Sequence, residues 1–280
     1  MPFLSSARSL RVLKLNNNGL GPAGGAVIAD ALSTLASSLA PGARSELRTV
    51  ICGRNRLEDG SAPAWAAALR AHGTLEEVRM PQNGIRMAGI AALVRGLAAN
   101  GALAHLDLQD NTFAGEGAGA MADELARGAW PRLRVLNLSD CVIGEEGEVS
   151  PVVSALAKGL HGELEVLQLQ NDNLETESFS LLAGVVGKLP KLKLVEAQWN
   201  EVDEDDEGAL ALLAALKKQG GKLIMNDDEE EEEEEEKDEE EAEEAAPAAQ
   251  PVPATTAPEK SETDKAADAL ADLLQKVEIR

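Results

Sequence analysis

Cysteine is nearly absent from this chain. Two residues in 280, Cys52 and Cys141, give no disulfide framework, and both read as structural thiols of a reducing compartment. No run of 18 apolar residues exists, which excludes a membrane-spanning helix. The opening MPFLSSARS lacks the apolar stretch of a signal peptide. No GxxxxGK[ST] segment is present to cradle nucleotide phosphates, and the two cysteines do not form a CxxC pair. Positive charge is also scarce: 26 Lys and Arg stand against 49 Asp and Glu, a net charge of −23. Much of it is local. Residues 227–244 hold sixteen acids and one lysine, which is −15 and leaves −8 for the rest. So dense a run repels itself and argues against nucleic acid as a partner, while it could attract a basic protein or keep the chain soluble.

What is present is a repeat. LxxLxLxxNxL reads Leu10, Leu13, Leu15, Asn18, Leu20, and returns as Leu47, Val50, Cys52, Asn55, Leu57, as Leu75, Val78, Met80, Asn83, Ile85, and as Leu103, Leu106, Leu108, Asn111, Phe113. Weaker copies begin at Leu133, Leu164 and Leu192, so the starts are 37, 28, 28, 30, 31 and 28 residues apart. A period near 28 with this pattern is the signature of long leucine-rich repeats, each a short strand followed by a helix. The fold class is therefore α/β: a leucine-rich-repeat solenoid, a ribonuclease-inhibitor-like horseshoe with parallel strands on the concave face and helices on the convex face.

Period-two alternation sends the leucines inward. It sends Lys14, Ile51, Arg79, Asp107, Asn137, Gln168 and Glu196 out of the concave sheet. Helices are expected over Ala23–Leu39, Ala62–Ala71, Met87–Ala99 and Gly117–Arg127, where Ala and Leu favour them. Asn18, Asn55, Asn83, Asn111 and Asn200 recur just after the strand, with Cys141 and Asp172 at the same place. Side chains there can bond the backbone of the neighbouring repeat and form a structural ladder. Each preceding position, Asn17, Arg54, Gln82, Asp110, Asp140, Asn171 and Trp199, falls on one rim, where Arg54 and Arg56 add local positive charge. Trp199 is expected to pack against Leu223–Met225, a terminal strand, with an exposed contact as the alternative. His72, His105 and His161 fall at unrelated phases and suggest no metal site. On these grounds alone the chain reads as a protein-interaction scaffold.

Four units follow: 1–226 as the repeat domain, 227–244 as a disordered acidic segment, 245–264 as an Ala/Pro-rich linker, and 265–280 as a short amphipathic helix with Ala266, Ala269, Leu270, Leu273, Leu274 and Val277 on one face. The nine residues before Leu10 offer no convincing polar cap. The expectation is a chain shorter than its folding unit, as a fragment or through a misplaced gene start, or else one whose end is capped by a partner.

The strings LKLNNNGLGPAGG, ICGRNRLEDGS, VRMPQNGIRMAGI and LDLQDNTFAGEG, followed by the acidic run, resemble the Ran GTPase-activating protein family over Leu10 to about Glu244. That resemblance implies stimulation of GTP hydrolysis by Ran, in its GTP-bound form and with or without a Ran-binding protein, in support of nucleocytoplasmic transport. It implies no arginine finger: a family asparagine, matched by Asn17, orients the GTPase's own glutamine. Arg54, Arg56, Gln82, Asp110 and Asn111 match family strings near the interface and are assigned to partner binding. No cofactor belongs to the chain; GTP and Mg2+ would be carried by the GTPase. The family also carries about three further repeats before the segment matching Leu10, and the implied location is cytoplasmic, extending to the nuclear envelope. A non-catalytic leucine-rich adaptor is the alternative.

Overall fold

The computed structural model describes residues 3–226. The acidic segment, the linker and the C-terminal helix read for 227–280 lie outside the described residues. Eight three-residue strands form one parallel sheet in strict chain order. They are β1 (Val12–Lys14), β2 (Thr49–Ile51), β3 (Glu77–Arg79), β4 (His105–Asp107), β5 (Val135–Asn137), β6 (Val166–Gln168), β7 (Leu194–Glu196) and β8 (Lys222–Ile224). Between them run α1 (Gly21–Ser37), α2 (Glu58–His72), α3 (Met87–Leu97), α4 (Ala114–Ala126), α5 (Pro151–Leu156), α6 (Thr176–Val185) and α7 (Glu207–Lys218). Each helix packs on the next, so strands stack on strands and helices on helices, as a repeat solenoid requires. Register is in step throughout: Leu13 pairs with Val50, Val50 with Val78 and Val78 with Leu106.

Three of the four expected helices begin earlier than propensity suggests, while α3 begins at Met87 as expected. α2 starts at Glu58 and α4 at Ala114, directly after the strand loop. In α2 two acids, Glu58 and Asp59, sit in the first turn and Arg70 and His72 in the last, matching the helix dipole at both ends. The wedge between sheet and helices is filled by fully buried side chains, among them Trp65, Trp130, Phe113, Leu57 and Ile85. Neighbouring helices approach closely. A Cβ on Gly96 would lie 2.4 Å from the Ala66 carbonyl oxygen, so only glycine fits there. The outward row is less wet than its polarity suggests. Ile51, Asp107 and Asn137 are each 9% exposed or less, because neighbours on the sheet cover one another; Arg79 reaches Asp107 at 3.5 Å and Gln168 donates to Glu196 at 2.7 Å.

Two ladders of side chains tie the coils together. In the first, Asn55 donates to the Leu15 carbonyl (2.7 Å), Asn83 to Cys52 (2.8 Å), Asn111 to Met80 (3.1 Å) and Asn200 to Leu169 (2.7 Å). The same carboxamides accept backbone N–H groups of the preceding coil: Asn55 from Asn18, Asn83 from Asn55, and Asn200 from Asp172 and Leu174. Cys141 makes the weaker sulfur version, reaching the Leu108 carbonyl at 3.3 Å. Asn18 departs from the expected pattern. It is exposed, and its side chain reaches only its own coil, at the Asn16 carbonyl. Each rung reaches backward, and no coil precedes β1 among the described residues.

The second ladder lies at the far ends of the helices. His72 meets the Leu32 carbonyl at 3.1 Å, Asn100 donates to Leu69 at 3.1 Å, Trp130 to Leu97 at 3.1 Å, and His161 meets Leu125 at 3.0 Å. Each acceptor lies in the preceding helix, and Leu69, Leu97 and Leu125 lie in its last turn. His72 and His161 therefore share a phase, contrary to the sequence expectation: each stands three residues before its repeat's first leucine, as Asn100 and Trp130 do. Burial lowers the His72 pKa, with its bond to the Leu32 carbonyl opposing, which suits a neutral imidazole held as a staple.

Asp172 is the anomalous rung. Fully buried, it accepts the Cys141 N–H on Oδ1 at 2.9 Å, while Oδ2 has no hydrogen-bond partner. By register, Oδ2 takes the place where other rungs present an N–H to a carbonyl. Burial pushes its carboxyl well above the ordinary range, with backbone N–H groups of Cys141, Val142 and Ile143 opposing. Two predictions result. Asn83→Ala should cost about 1–3 kcal/mol in chemical denaturation, by leaving buried backbone groups unpaired. Asp172→Asn should stabilise the fold at neutral pH. A raised folded pKa means that the native carboxyl contributes fully only below the unfolded value of about 4 and loses that contribution as pH rises through the folded value. The two chains should therefore converge in denaturation midpoint as pH is lowered towards 4.

Candidate functional site

The rim is built by one repeated backbone conformation. Asn17, Arg54, Gln82, Asp110, Asp140, Asn171 and Trp199 all have positive φ, between 52° and 60°. Left-handed backbone suits asparagine and aspartate and is costly for the others. It persists at Arg54 and Gln82 because both sides are held, and at Trp199 the following Asn200 is a rung. The rim N–H donates to the next coil (Asn17 to Gly53, Arg54 to Pro81, Gln82 to Gln109, Asp110 to Ser139), and the residue after Arg54, Gln82 and Asp110 is a ladder rung, whereas Asn18 after Asn17 is held through its backbone N–H, which donates to Asn55 Oδ1 at 2.9 Å. A left-handed turn just before a buried rung throws the rim side chain outward.

Asn17 is exposed, and its side-chain amide makes no hydrogen bond within the described residues. Arg54 is exposed and donates through Nε to Gln82 Oε1 at 2.5 Å, so the guanidinium is tied along the rim. Arg56, also exposed, has φ 53° on the loop beyond rung Asn55. Gln82 is half-buried and Asp110 exposed. Asp140 accepts from Gln109 at 3.3 Å and from Asn171 at 2.8 Å. Asn111 was assigned two roles. It is 3% exposed, with its amide spent on Met80, Leu108 and Gln109 carbonyls and its oxygen on the Ile85 N–H, which leaves the ladder role and removes the partner role. Trp199 does not pack beneath the terminal strand: it is 61% exposed on the rim. The left-handed turn that aims Asn17 into solvent aims the indole there too.

Nothing among the described residues assembles an active site within the chain itself. No group of His, Cys, Asp or Glu there could hold a metal ion. Burial pushes the Cys52 thiol up to about 12, with Asn55 opposing, and holds Cys141 well above the ordinary thiol range, so neither is a ready nucleophile. A cavity lined by Val153, Leu169, Leu174, Phe179, Leu182 and the Ser178 side chain, among others, has no titratable group in its wall. No helix among the described residues is long and apolar enough to cross a membrane. The chemistry on offer is that of a row of outward polar side chains on a stiff edge.

A family profile described as Leucine Rich repeat matches residues 6–29, 103–122 and 132–147. The chain is 36% identical over 211 residues to Ran GTPase-activating protein 1 of Saccharomyces cerevisiae, covering 73% of this chain and 51% of that protein. It is 51% identical over 78 residues to Ran GTPase-activating protein 1 of Xenopus laevis, covering 28% and 13% respectively. It is 50% identical over 78 residues to Ran GTPase-activating protein 2 of Caenorhabditis elegans, covering 28% and 8%. The chain thus spans about half the length of the yeast relative.

The rim geometry separates folding from surface chemistry at Asn17. Asn17→Gly, which suits φ 59°, should change stability by no more than about 0.5 kcal/mol, while Asn17→Ala should cost about 1 kcal/mol because Cβ disfavours that conformation. Urea denaturation of both variants checks the order; Ala as stable as Gly would show that the left-handed turn is not imposed by the coils.

Proposed function

We propose that this chain, which belongs to the Ran GTPase-activating protein family of leucine-rich-repeat proteins, docks GTP-bound Ran along its left-handed rim and uses Asn17 to orient the GTPase's own glutamine towards the attacking water. The observation that carries this reading is the state of Asn17: exposed, unbonded through its side chain, and standing on backbone held from the next coil. A carboxamide both donates and accepts, so it can pair with a second carboxamide, and it brings no charge to the transition state. Its contribution is orientation. In phosphoryl transfer, holding the nucleophile in line is a large part of what a protein can supply.

The neighbours suit the same role. Arg54 lies along the rim, bonded to Gln82, and acts as a surface contact without extending as a finger. Arg56, Gln82 and Asp110 continue the contact row. GTP and Mg2+ belong to the GTPase, and the chain adds no cofactor. The run 227–244, with charge −15, favours encounter with a basic surface of the partner. The role serves nucleocytoplasmic transport from the cytoplasm and at the nuclear envelope. A second reading, an adaptor that binds without altering hydrolysis, draws on Trp199, an exposed aromatic several coils away from Asn17. It predicts complexes indifferent to the bound nucleotide.

Single-turnover GTP hydrolysis by Ran tests the proposal. At saturating chain the rate should rise well above the intrinsic one, and no rise would reject it. Asn17→Ala should lower the saturated rate on the order of a hundredfold, with affinity within about threefold, since it removes orientation more than contact. Loss of affinity alone would take Asn17 out of the reaction.

A further inference from the structure

We infer that Asn16 is a positioning residue for Asn17, a further role that rests on the reading proposed above. Asn16 Oδ1 accepts the Gly53 N–H at 2.6 Å, and the Gly53 carbonyl in turn accepts the Asn17 N–H at 3.1 Å. One residue of the second coil is thus gripped at both ends by two consecutive residues of the first. Asn18 is engaged as well. The Asn18 N–H donates to Asn55 Oδ1 at 2.9 Å, and Asn18 Nδ2 donates to the Asn16 carbonyl at 3.1 Å. In the run Asn16–Asn17–Asn18, the two outer side chains are spent on the backbone and the middle one is left for a partner.

Equivalent positions in the other coils show what Asn16 adds. In the fourth and fifth coils the N–H corresponding to that of Gly53 is met within its own coil: Gln109 donates to Asp107 Oδ1 at 3.1 Å and Ser139 to Asn137 Oδ1 at 3.0 Å. The second coil carries Ile51 at that place, which cannot accept, and the third carries Pro81, which has no N–H. Between the fifth and sixth coils the same cross-coil contact is made by Ser139 Oγ to the Gln170 N–H, at 3.3 Å. Asn16 makes the shorter bond, and it lies next to the rim residue proposed to act on the partner. Its anchor is firm on the other side too. A Cβ on Gly53 would sit 2.9 Å from Pro81 Cγ, so Gly53 is packed directly against the third coil's ring. Left-handed backbone at a non-glycine residue persists only where its surroundings over-determine it. Without the Asn16 acceptor, the cross-coil bonds of the Asn17 and Asn18 N–H groups remain, and the bond on the N-terminal side of Asn17 is gone.

The test is single-turnover hydrolysis by Ran with the full chain carrying Asn16→Ala, Asn16→Asp or Asn16→Ser. Aspartate keeps an acceptor in place; serine reproduces the longer contact of the fifth coil, an arrangement this chain already folds. The expected result is a saturated rate lowered about tenfold in Asn16→Ala and about threefold in Asn16→Ser, with affinity within about twofold and Asn16→Asp close to the unaltered chain. If Asn16→Ala is too unstable to assay, the serine variant decides alone: an unchanged saturated rate overturns the inference. So does an aspartate variant as slow as alanine, or a loss confined to affinity and stability, as a purely structural bond would give. An unaltered chain that fails to accelerate hydrolysis overturns the function proposed above and this inference with it; an unaltered chain that accelerates, with Asn16→Ala equal to it, overturns this inference alone.

Discussion

Coils inside the stack end their strands with N–H and C=O groups turned towards a neighbour and wholly or partly buried there. The hydrogen bond from a rung side chain back to the preceding coil meets that demand. Much else follows from it. Rungs fix the distance and phase between coils, which keeps the strands in register and brings the helices close enough to need Gly96 against Ala66. They also hold one flank of each rim residue, so a left-handed turn can recur even where the side chain is arginine, glutamine or tryptophan. Where the rung chemistry changes, the cost is visible: Asp172 fills its place with an oxygen that finds no partner.

The parts of the fold that reuse one residue type were legible in the sequence. Leucines at fixed offsets gave the strands, and asparagine at a fixed offset gave the first ladder. The second ladder escaped because its position is filled by His72, Asn100, Trp130 and His161, side chains of three different shapes. A search by residue type sees unrelated residues, whereas a search by distance from the first leucine would have found polar or N–H-bearing side chains three residues before it. Trp199 went astray for a related reason. Hydrophobicity argues for burial, but the backbone at that place is left-handed and aims outward whatever it carries. Asn111 shows the reverse: matching strings suggested a surface contact, and the rung geometry buries it.

For function, the division between adjacent residues matters most. A rung is committed to the interior, and the residue before it is delivered to the edge. Arg54 and Asn55 divide in this way, as do Gln82 and Asn83; Asn18, expected as a rung, is exposed instead, and the coordinates add what spacing could not: that Asn16 is engaged, and that Arg54 lies bonded to Gln82. One immobile amide can act on a reaction when it is presented at the right spot of a partner that owns the nucleotide.

The left-handed edge has an evolutionary corollary. Its backbone shape is dictated by neighbours, so whatever side chain stands there is carried to solvent, at a conformational cost of about 1 kcal/mol for residues that resist left-handed backbone. Such a border works like type in a fixed frame. Mutation can swap its letters, while selection for a foldable chain favours asparagine, aspartate and glycine among them.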